Sequence, residues 1–445
     1  MEPSLTFSRE IPVRHTVDVC IAGGGPSGVA AALAAARSGA SVFVIEGQSC
    51  FGGMGTVGLV PAFMRFGDGI TFLAQGVGSE IYTLLKKETT IYDDRVHDMV
   101  GFDVEALKRI YDRLMKDSGA DFTFNTHLIA VEAENGVVKS AICAAKSGLF
   151  AVRAKVFIDC TGDGDLAAWA GAPYEKGDEN GRMMPGTLCS LWANFDWDAH
   201  LAQGKPDSAY LEQAFREGIF SIPDRHLPGM FRTGKNTAGG NLLHTFGADG
   251  TDERSMTEAL LWGRELTLEY ERYYRRFFPE SFSESVLVAT GGLLGIRESR
   301  RILGDYVLDT EDFKNKAVFA DEIGRYCYPV DLHPQTSDLT EWERFEEEYA
   351  RMRYQPGDSY GIPYRILTPR GMHNLLTAGR CVSADRTIQG SIRVMPGCYL
   401  TGQAAGMAAY MAVEGDCSVR EISIPNLQQR LIDFGAYLPN AGKVD

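Results

Sequence analysis

The chain has 445 residues, 44% hydrophobic and 23% charged, an ordinary balance for a soluble globular protein and long enough for one large discontinuous domain or two. Its formal net charge of −15 excludes a general binder of nucleic-acid backbones, which needs a basic surface, but leaves room for local basic clusters that hold small acidic molecules. No run reaches about 18 apolar residues and the first residues hold no apolar signal region, so a cytoplasmic protein without a membrane span is expected.

Residues 1–16 read as an extension or an edge strand. Residues 17–46, VDVCIAGGGPSGVAAALAAARSGASVFVIE, then combine an apolar run, a glycine turn, an alanine-rich helix and a second apolar run ending in an acid. This order predicts a βαβ unit that binds a dinucleotide. Gly23 permits the tight turn, Gly25 lets the backbone approach a pyrophosphate, and Gly28 with Ala32 lets the helix pack close to the sheet. Pro26 and Ser27 open the helix, whose free N–H groups and partial positive charge suit phosphates. Glu46 stands where a carboxylate would accept hydrogen bonds from a ribose. Gly39 is the expected left-handed helix cap. Taken alone, this unit fits NAD and FAD equally.

The next stretch, GQSCFGGMGTVGLVPAF, carries five glycines in twelve residues (Gly47, Gly52, Gly53, Gly55 and Gly58) and suits backbone lying against a ligand. The bland alternative is a flexible loop. A helix is expected over 73–87, and a clear amphipathic one over 103–117, whose Val104, Leu107, Ile110, Tyr111 and Leu114 form a core face. Several short strands follow, with Asn135-Gly136 as a hairpin turn. The strand 156–159 runs into Thr161-Gly162-Asp163-Gly164-Asp165 before a helix, which again brings N–H groups near a ligand, with Asp163 and Asp165 as caps in the plainer reading.

Between residues 174 and 313 the character changes, and no nucleotide motif occurs. Residues 188–195 look like a strand, and 256–278 like a long helix broken by Pro279. We expect this block to cover the substrate. The dense patch Arg297-Glu298-Ser299-Arg300-Arg301 could be a salt-bridged surface helix start. Asp331 and His333 stand two apart on an extended segment, so they share a face. Residues 341–352 read as an acidic solvated helix without chemistry. Finally 374–380 form a short buried strand entering a turn, and Pro396-Gly397 opens a small-residue helix. No second GxGxxG occurs, which argues against a separate NAD(P)H domain. The nine scattered cysteines form no CxxC pair, so neither a metal site nor an iron–sulfur inlet is expected, and a reducing compartment is.

Together GGGPSG with Glu46, FGGMGTVGLVP, VFIDCTGDGDLAAWAGAP, GIRESRRILGDYVL, YPVDLH and NLLTAGRCVSADRTIQGSIRVMPGCYLTGQAAGMAA resemble, in order and over nearly the whole chain, the FAD-dependent oxidoreductases distantly related to fumarate reductase flavoproteins. The resemblance implies an α/β fold: a Rossmann-like FAD-binding domain of the glutathione-reductase type with an inserted α+β substrate or cap domain. The expected division is 1–175 and 341–445 for FAD, and 176–340 for the cap. It implies non-covalent FAD held by Gly23, Gly25, Pro26, Ser27, Gly28, Glu46, Gly47, Gly52, Gly53, Met54, Gly55, Leu128, Thr161, Gly162, Gly379, Arg380, Gly397, Gly402 and Gln403. Many flavin monooxygenases have Ala-Gly-Asp where this chain has Ala378-Gly379-Arg380, which speaks against an aromatic hydroxylase.

The resemblance also places the arginine patch and the Asp-Leu-His segment near the flavin. His333 is then expected as acid/base, with Arg300 as substrate clamp, Arg301 as its alternate, and His244 and Arg393 as weaker candidates. The implied activity is a dehydrogenase or reductase passing hydride through flavin N5 to or from a small polar substrate, anionic or sugar-like, with an unidentified electron donor or acceptor. The alternatives are a flavin oxidase using O2, or a flavin-bound electron-transfer subunit without catalysis of its own. A homo-oligomer is compatible with all three.

Overall fold

A computed structural model describes residues 5–92, 97–349 and 351–443. The predicted βαβ unit is present as strand Val13–Ala22, helix Pro26–Ser38 and strand Val42–Ile45, and Gly39 caps the helix at φ 112°. The first strand starts before the apolar run. Val13, His15, Thr16 and Val17 pair with residues 151–154 of a later strand, so this part of the expected extension is structural.

The main sheet runs Asp121–Thr123, Val42–Ile45, Val13–Ala22, Gly148–Asp159, Val137–Ala145, His127–Glu134, and Leu375–Thr377 also pairs with Gly148–Asp159. The long strand divides its outer edge. Residues 148–153 pair antiparallel with the preceding strand, whereas 157–159 pair parallel with 375–377. The hairpin turns at Asn135 and Gly136, both at positive φ (51° and 75°), as a two-residue turn requires. All the parallel strands end on one side, at Ala22, Ile45, Thr123, Asp159 and Thr377, which makes that carboxyl edge the place for a ligand.

Two helices lie against each other behind this edge, Pro26–Ser38 and Met395–Gly415. A Cβ at Gly402 would stand 2.2 Å from the Ser27 carbonyl oxygen, and one at Gly406 would stand 2.1 Å from that of Ala31. The small residues of the last helix therefore set the distance between the two helices. The amphipathic helix predicted over 103–117 spans Val104–Ser118, and Asp103 accepts from Glu105 and Ala106 N–H as its N-cap. The helix expected from 73 spans Val77–Glu88.

The inserted block has its own antiparallel sheet, in the order Gly229–Arg232, Thr237–Asn241, Ser190–Ala193, Val286–Thr290. The long helix Glu253–Phe277 contributes Tyr270, Tyr273 and Tyr274 to a second core with Trp192, Phe195 and Phe282. Pro279 starts a new short helix instead of merely ending one. Strands Tyr174–Lys176 and Arg300–Ile302 pair antiparallel, so the chain leaves for this block and returns from it along one ribbon. The arginine patch is thus no surface helix. Arg300 and Arg301 lie on a strand, and Glu298 and Ser299 are buried. Among the described residues no helix is long and apolar enough to cross a membrane.

Candidate functional site

One cavity of about 750 Å³ begins at the carboxyl edge of the main sheet and continues under the inserted block. Gly23, Gly25, Pro26 and Ser27 form its floor at the first helix. Gly23 needs its left-handed φ of 93°, and Gly28 sits so close that a Cβ would stand 1.9 Å from the Gly23 carbonyl oxygen. Gly25 differs: its φ is −67°, and a Cβ there would meet nothing within 4 Å. No side chain caps this helix, so its N-terminus is open to an anion. The helix Met395–Gly415 also begins without a side-chain cap, and Val394, Met395 and Cys398 line the same cavity. Two open helix N-termini therefore face one space.

Glu46 is only 6% exposed and lines the cavity beside Thr126, His127 and Leu128. Its Oε2 accepts Gly24 N–H at 2.7 Å and its Oε1 accepts Gln48 N–H at 2.6 Å, while burial raises its pKa. Each oxygen keeps a further lone pair for a hydroxyl. Gly47, Gly53 and Met54 line the wall, as do Thr161, Gly162 and Arg380. Asp159 organises the turn by accepting Thr161 N–H, Thr161 Oγ1–H and Ala167 N–H, and its burial raises its pKa to about 6. Asp163 and Asp165 are not helix caps. The N-cap is Gly164, Arg380 and Ser299 both bond Asp163 at 2.6 Å, and Arg300 bonds Asp165 at 2.7 Å.

Several expected cofactor residues do not line the cavity. Gly28, Gly379 and Gly402 permit close packing around Gly23 and Ser27, and a Cβ at Gly397 would stand 2.4 Å from the Ile392 carbonyl oxygen. Gly52, at φ 103°, abuts Thr56 and Tyr111, and Gly55 abuts Met395. Gln403 accepts Val77 N–H at 3.1 Å and donates to the Gln75 carbonyl at 3.2 Å, behind the wall. Glycine serves close backbone approach as readily as ligand contact, so these residues shape the walls.

The far end of the cavity is lined by Arg297, His226, His333, Asp331, Tyr328, Trp342 and Arg393. His333 Nε2 lies 3.2 Å from Asp331 Oδ1, and Arg393 donates to Asp331 Oδ2 at 3.1 Å and to its carbonyl oxygen at 2.7 Å. On the other side, His333 Nδ1 lies 3.0 Å from His244 Nε2, and His244 Nδ1 lies 3.1 Å from Asp224 Oδ2. His226 stacks on His244 with centroids 4.8 Å apart and meets His333 edge-on at 4.4 Å. Burial, with neighbouring imidazoles and Arg297, holds the pKa of His226 and His333 well below the usual histidine range, and burial lowers that of His244. All three are neutral near pH 7.

Arg300 and Arg301, expected as the clamp, are elsewhere. Arg300 bonds Asp165 and the Asp163 carbonyl, and Arg301 bonds Glu298, Glu175 and the Gly177 carbonyl. Asp165 lies on the cavity wall, but neither arginine lines the cavity itself. Arg297 from the same patch lines the cavity instead. It donates to the Pro185 carbonyl at 2.9 Å and to Thr187 Oγ1 at 2.8 Å, and burial lowers its pKa to about 10, so it stays charged at neutral pH. Sequence reasoning missed Arg297 as a site residue and missed His226 altogether. The available signal was the repeated Asp-x-His of 224–226 and 331–333. It also passed over Trp342 of the acidic helix Leu339–Tyr349, which reaches the cavity.

The buried imidazoles have a measurable consequence. His244 and His333 are 1% and 2% exposed, and an unfolded imidazole titrates near 6.5, above either folded value. Their neutral form is thus fully compatible with the fold above pH 6.5, and stability is lost as pH falls below it. The expected loss is up to ~1.4 kcal/mol per pH unit for each ring. Urea midpoints at neutral and mildly acidic pH should show it, and His244→Asn should remove part of the slope; an unaltered slope would assign the acid sensitivity to other groups.

The sequence profile of the family described as FAD dependent oxidoreductase matches residues 18–431. Digeranylgeranylglycerophospholipid reductase of Methanosphaerula palustris is 28% identical over 171 residues, 35% of this chain and 41% of that protein, so the match spans about two fifths of the relative. Among solved structures, a geranylgeranyl bacteriochlorophyll reductase-like protein of Thermoplasma acidophilum is similar over 94% of this chain and 83% of that one, at 15% identity and a TM-score of 0.47. The p-nitrophenol 4-monooxygenase of Pseudomonas putida is similar over 94% and 84%, at 12% identity and a TM-score of 0.47.

Proposed function

We propose, from the premise that this chain belongs to the family of FAD-dependent oxidoreductases and is an enzyme with FAD as its cofactor, that it moves a hydride between FAD and a small anionic metabolite. The observation that carries the reading is the pairing of Arg297 and Arg393 with neutral buried imidazoles at one end of the cavity. The fit for FAD rests on the open helix N-terminus at Gly25, the lone pairs of buried Glu46 and the cavity's reach from there to His333. When bound, FAD supplies the two-electron acceptor or donor.

The chain's residues have the remaining tasks. Arg297 donates to neutral oxygens in the fold, which leaves its charge for an anionic group of the substrate. Arg393 is fixed by Asp331, so it presents a positioned cation. His333 takes or returns the proton that accompanies hydride transfer, because a neutral imidazole can accept one, and Asp331 at 3.2 Å steadies the charge it gains. Trp342 and Tyr328 restrict water at this end.

Anaerobic mixing of the FAD-loaded protein with panels of hydroxy acids and sugar acids should bleach the flavin band with at least one of them. His333→Ala should slow that bleaching by about 10²–10⁴-fold while leaving FAD bound. Bleaching only by neutral compounds would sink the anionic substrate, and unchanged rates in His333→Ala would remove that residue from proton transfer.

A further inference from the structure

We propose that His226, His244 and His333 form a binding site for one divalent transition ion, zinc(II) being the ion their chemistry suits best. Their ligating atoms all lie within 4.8 Å of one another, and two of the three residues, His226 and His333, line the cavity. Three imidazoles with a fourth position open to a cavity are the donor set of a reactive zinc site, as opposed to a closed structural one. The proposal builds on the proposed function in taking this end of the cavity as the one that meets substrate, and it replaces the proton-transfer role of His333, because a ring that ligates through Nδ1 and faces Asp331 through Nε2 has no nitrogen left for that proton.

The outer atoms of the rings carry the argument. His244 Nδ1 lies 3.1 Å from Asp224 Oδ2, and His333 Nε2 lies 3.2 Å from Asp331 Oδ1. Neither contact is a hydrogen bond: His244 Nδ1, Asp224 Oδ2 and His333 Nε2 are buried without a hydrogen-bond partner among the described residues. The inner nitrogens, His244 Nε2 and His333 Nδ1, share one hydrogen bond at 3.0 Å in which either ring can donate. One outer nitrogen is then left without a proton beside its carboxylate, a repulsive contact that ligation of both inner nitrogens by one cation removes. A metal ion satisfies both nitrogens and keeps both carboxylate contacts, the outer-shell arrangement that orients histidine ligands in zinc sites.

The geometry needs little adjustment. Zinc–nitrogen bonds of about 2.0–2.1 Å at a tetrahedral angle place two nitrogens about 3.3–3.4 Å apart, a few tenths beyond the present 3.0 Å. His226 is half-buried and stacked on His244, so a small rotation of its ring brings the third nitrogen in. Asp224 and Asp331 offset the charge of the ion, and Arg297 and Arg393 oppose it. The balance favours an anionic oxygen in the fourth position, which matches the substrate class proposed above. Imidazole ligands suit several transition ions, and zinc is preferred because it accepts this low coordination without a redox change.

The test uses full-length FAD-loaded protein, treated with chelator, without substrate. Dialysed against micromolar zinc chloride at neutral pH, the wild type should bind one zinc per chain by elemental mass spectrometry. Cobalt(II) in its place should give ligand-field bands to the red of the flavin absorption. Asp224→Asn should weaken zinc binding by about 10–100-fold, and His226→Ala and His244→Ala should weaken it more, with the FAD-to-protein ratio as the check on folding. Absence of saturable zinc binding in the wild type would overturn the site, as would binding that persists in both histidine variants. Either result would leave the anionic-substrate reading intact, since flavin bleaching decides that separately.

Discussion

Alanine at Gly25 is expected to give a fully folded protein that has lost most of its hold on FAD. The backbone at Gly25 is one that any residue adopts (φ −67°, ψ −173°), and an added Cβ would touch no protein atom within 4 Å. The fold therefore gives no reason for glycine at this position. A cofactor passing over the open helix N-terminus does, because a methyl group there occupies its path. Crowding of this kind costs about 1–3 kcal/mol, or roughly five- to 150-fold in FAD affinity. Gly28→Ala is the contrasting variant. Its Cβ would stand 1.9 Å from the Gly23 carbonyl oxygen, so it should lose both stability and cofactor. FAD content measured beside thermal unfolding separates the two, and wild-type FAD affinity in Gly25→Ala would place the cofactor phosphates elsewhere.

The second large effect is expected at Arg297. Replacing it with Met removes a partly buried cation whose side-chain hydrogen bonds among the described residues go to neutral oxygens, Pro185 O and Thr187 Oγ1. If that charge meets the substrate anion, its removal should cost about 2–5 kcal/mol, equivalent to a fall of roughly 30- to 5,000-fold in kcat/KM. FAD should remain bound, because Arg297 makes none of the hydrogen bonds that shape the cavity around Gly25 and Glu46. Arg297→Lys keeps the charge but loses the planar fork, and should fall between the two. Measured on any substrate that bleaches the flavin, an unchanged KM in Arg297→Met would remove this arginine from substrate binding.

The parts of the fold written in local chemistry were legible. The glycine turn, the left-handed cap at Gly39, the Asn135-Gly136 hairpin and the Asp103 N-cap each depend on a few adjacent residues. The site was harder because its residues face one another across long stretches of chain. Within Arg297–Arg301 the sequence cannot tell which arginine reaches the cavity, since the segment before Arg300 is irregular and has no period to read. Asp165, which holds Arg300, and Glu175, which with the nearby Glu298 holds Arg301, lie more than a hundred residues away. At Gly402 the difficulty is of another kind. A glycine needed for helix contact and one needed for ligand contact look alike in sequence, and only the fold shows Gly402 against Ser27. His226 becomes visible only when the inserted block brings it beside His244 and His333.

The contact between the first and last large helices has a consequence for synthesis of the chain. Residues 27–35 are buried, and Gly402 and Gly406 rest on Ser27 and Ala31. A nascent chain therefore carries a finished βαβ unit whose alanine-rich helix has no cover until residues near 406 leave the ribosome. The strand 375–377, which completes the outer edge of residues 157–159, emerges almost as late. Such distant pairings delay folding and expose apolar surface meanwhile. A chain stopped before residue 395 should therefore aggregate or stay protease-sensitive even though its nucleotide motif is complete.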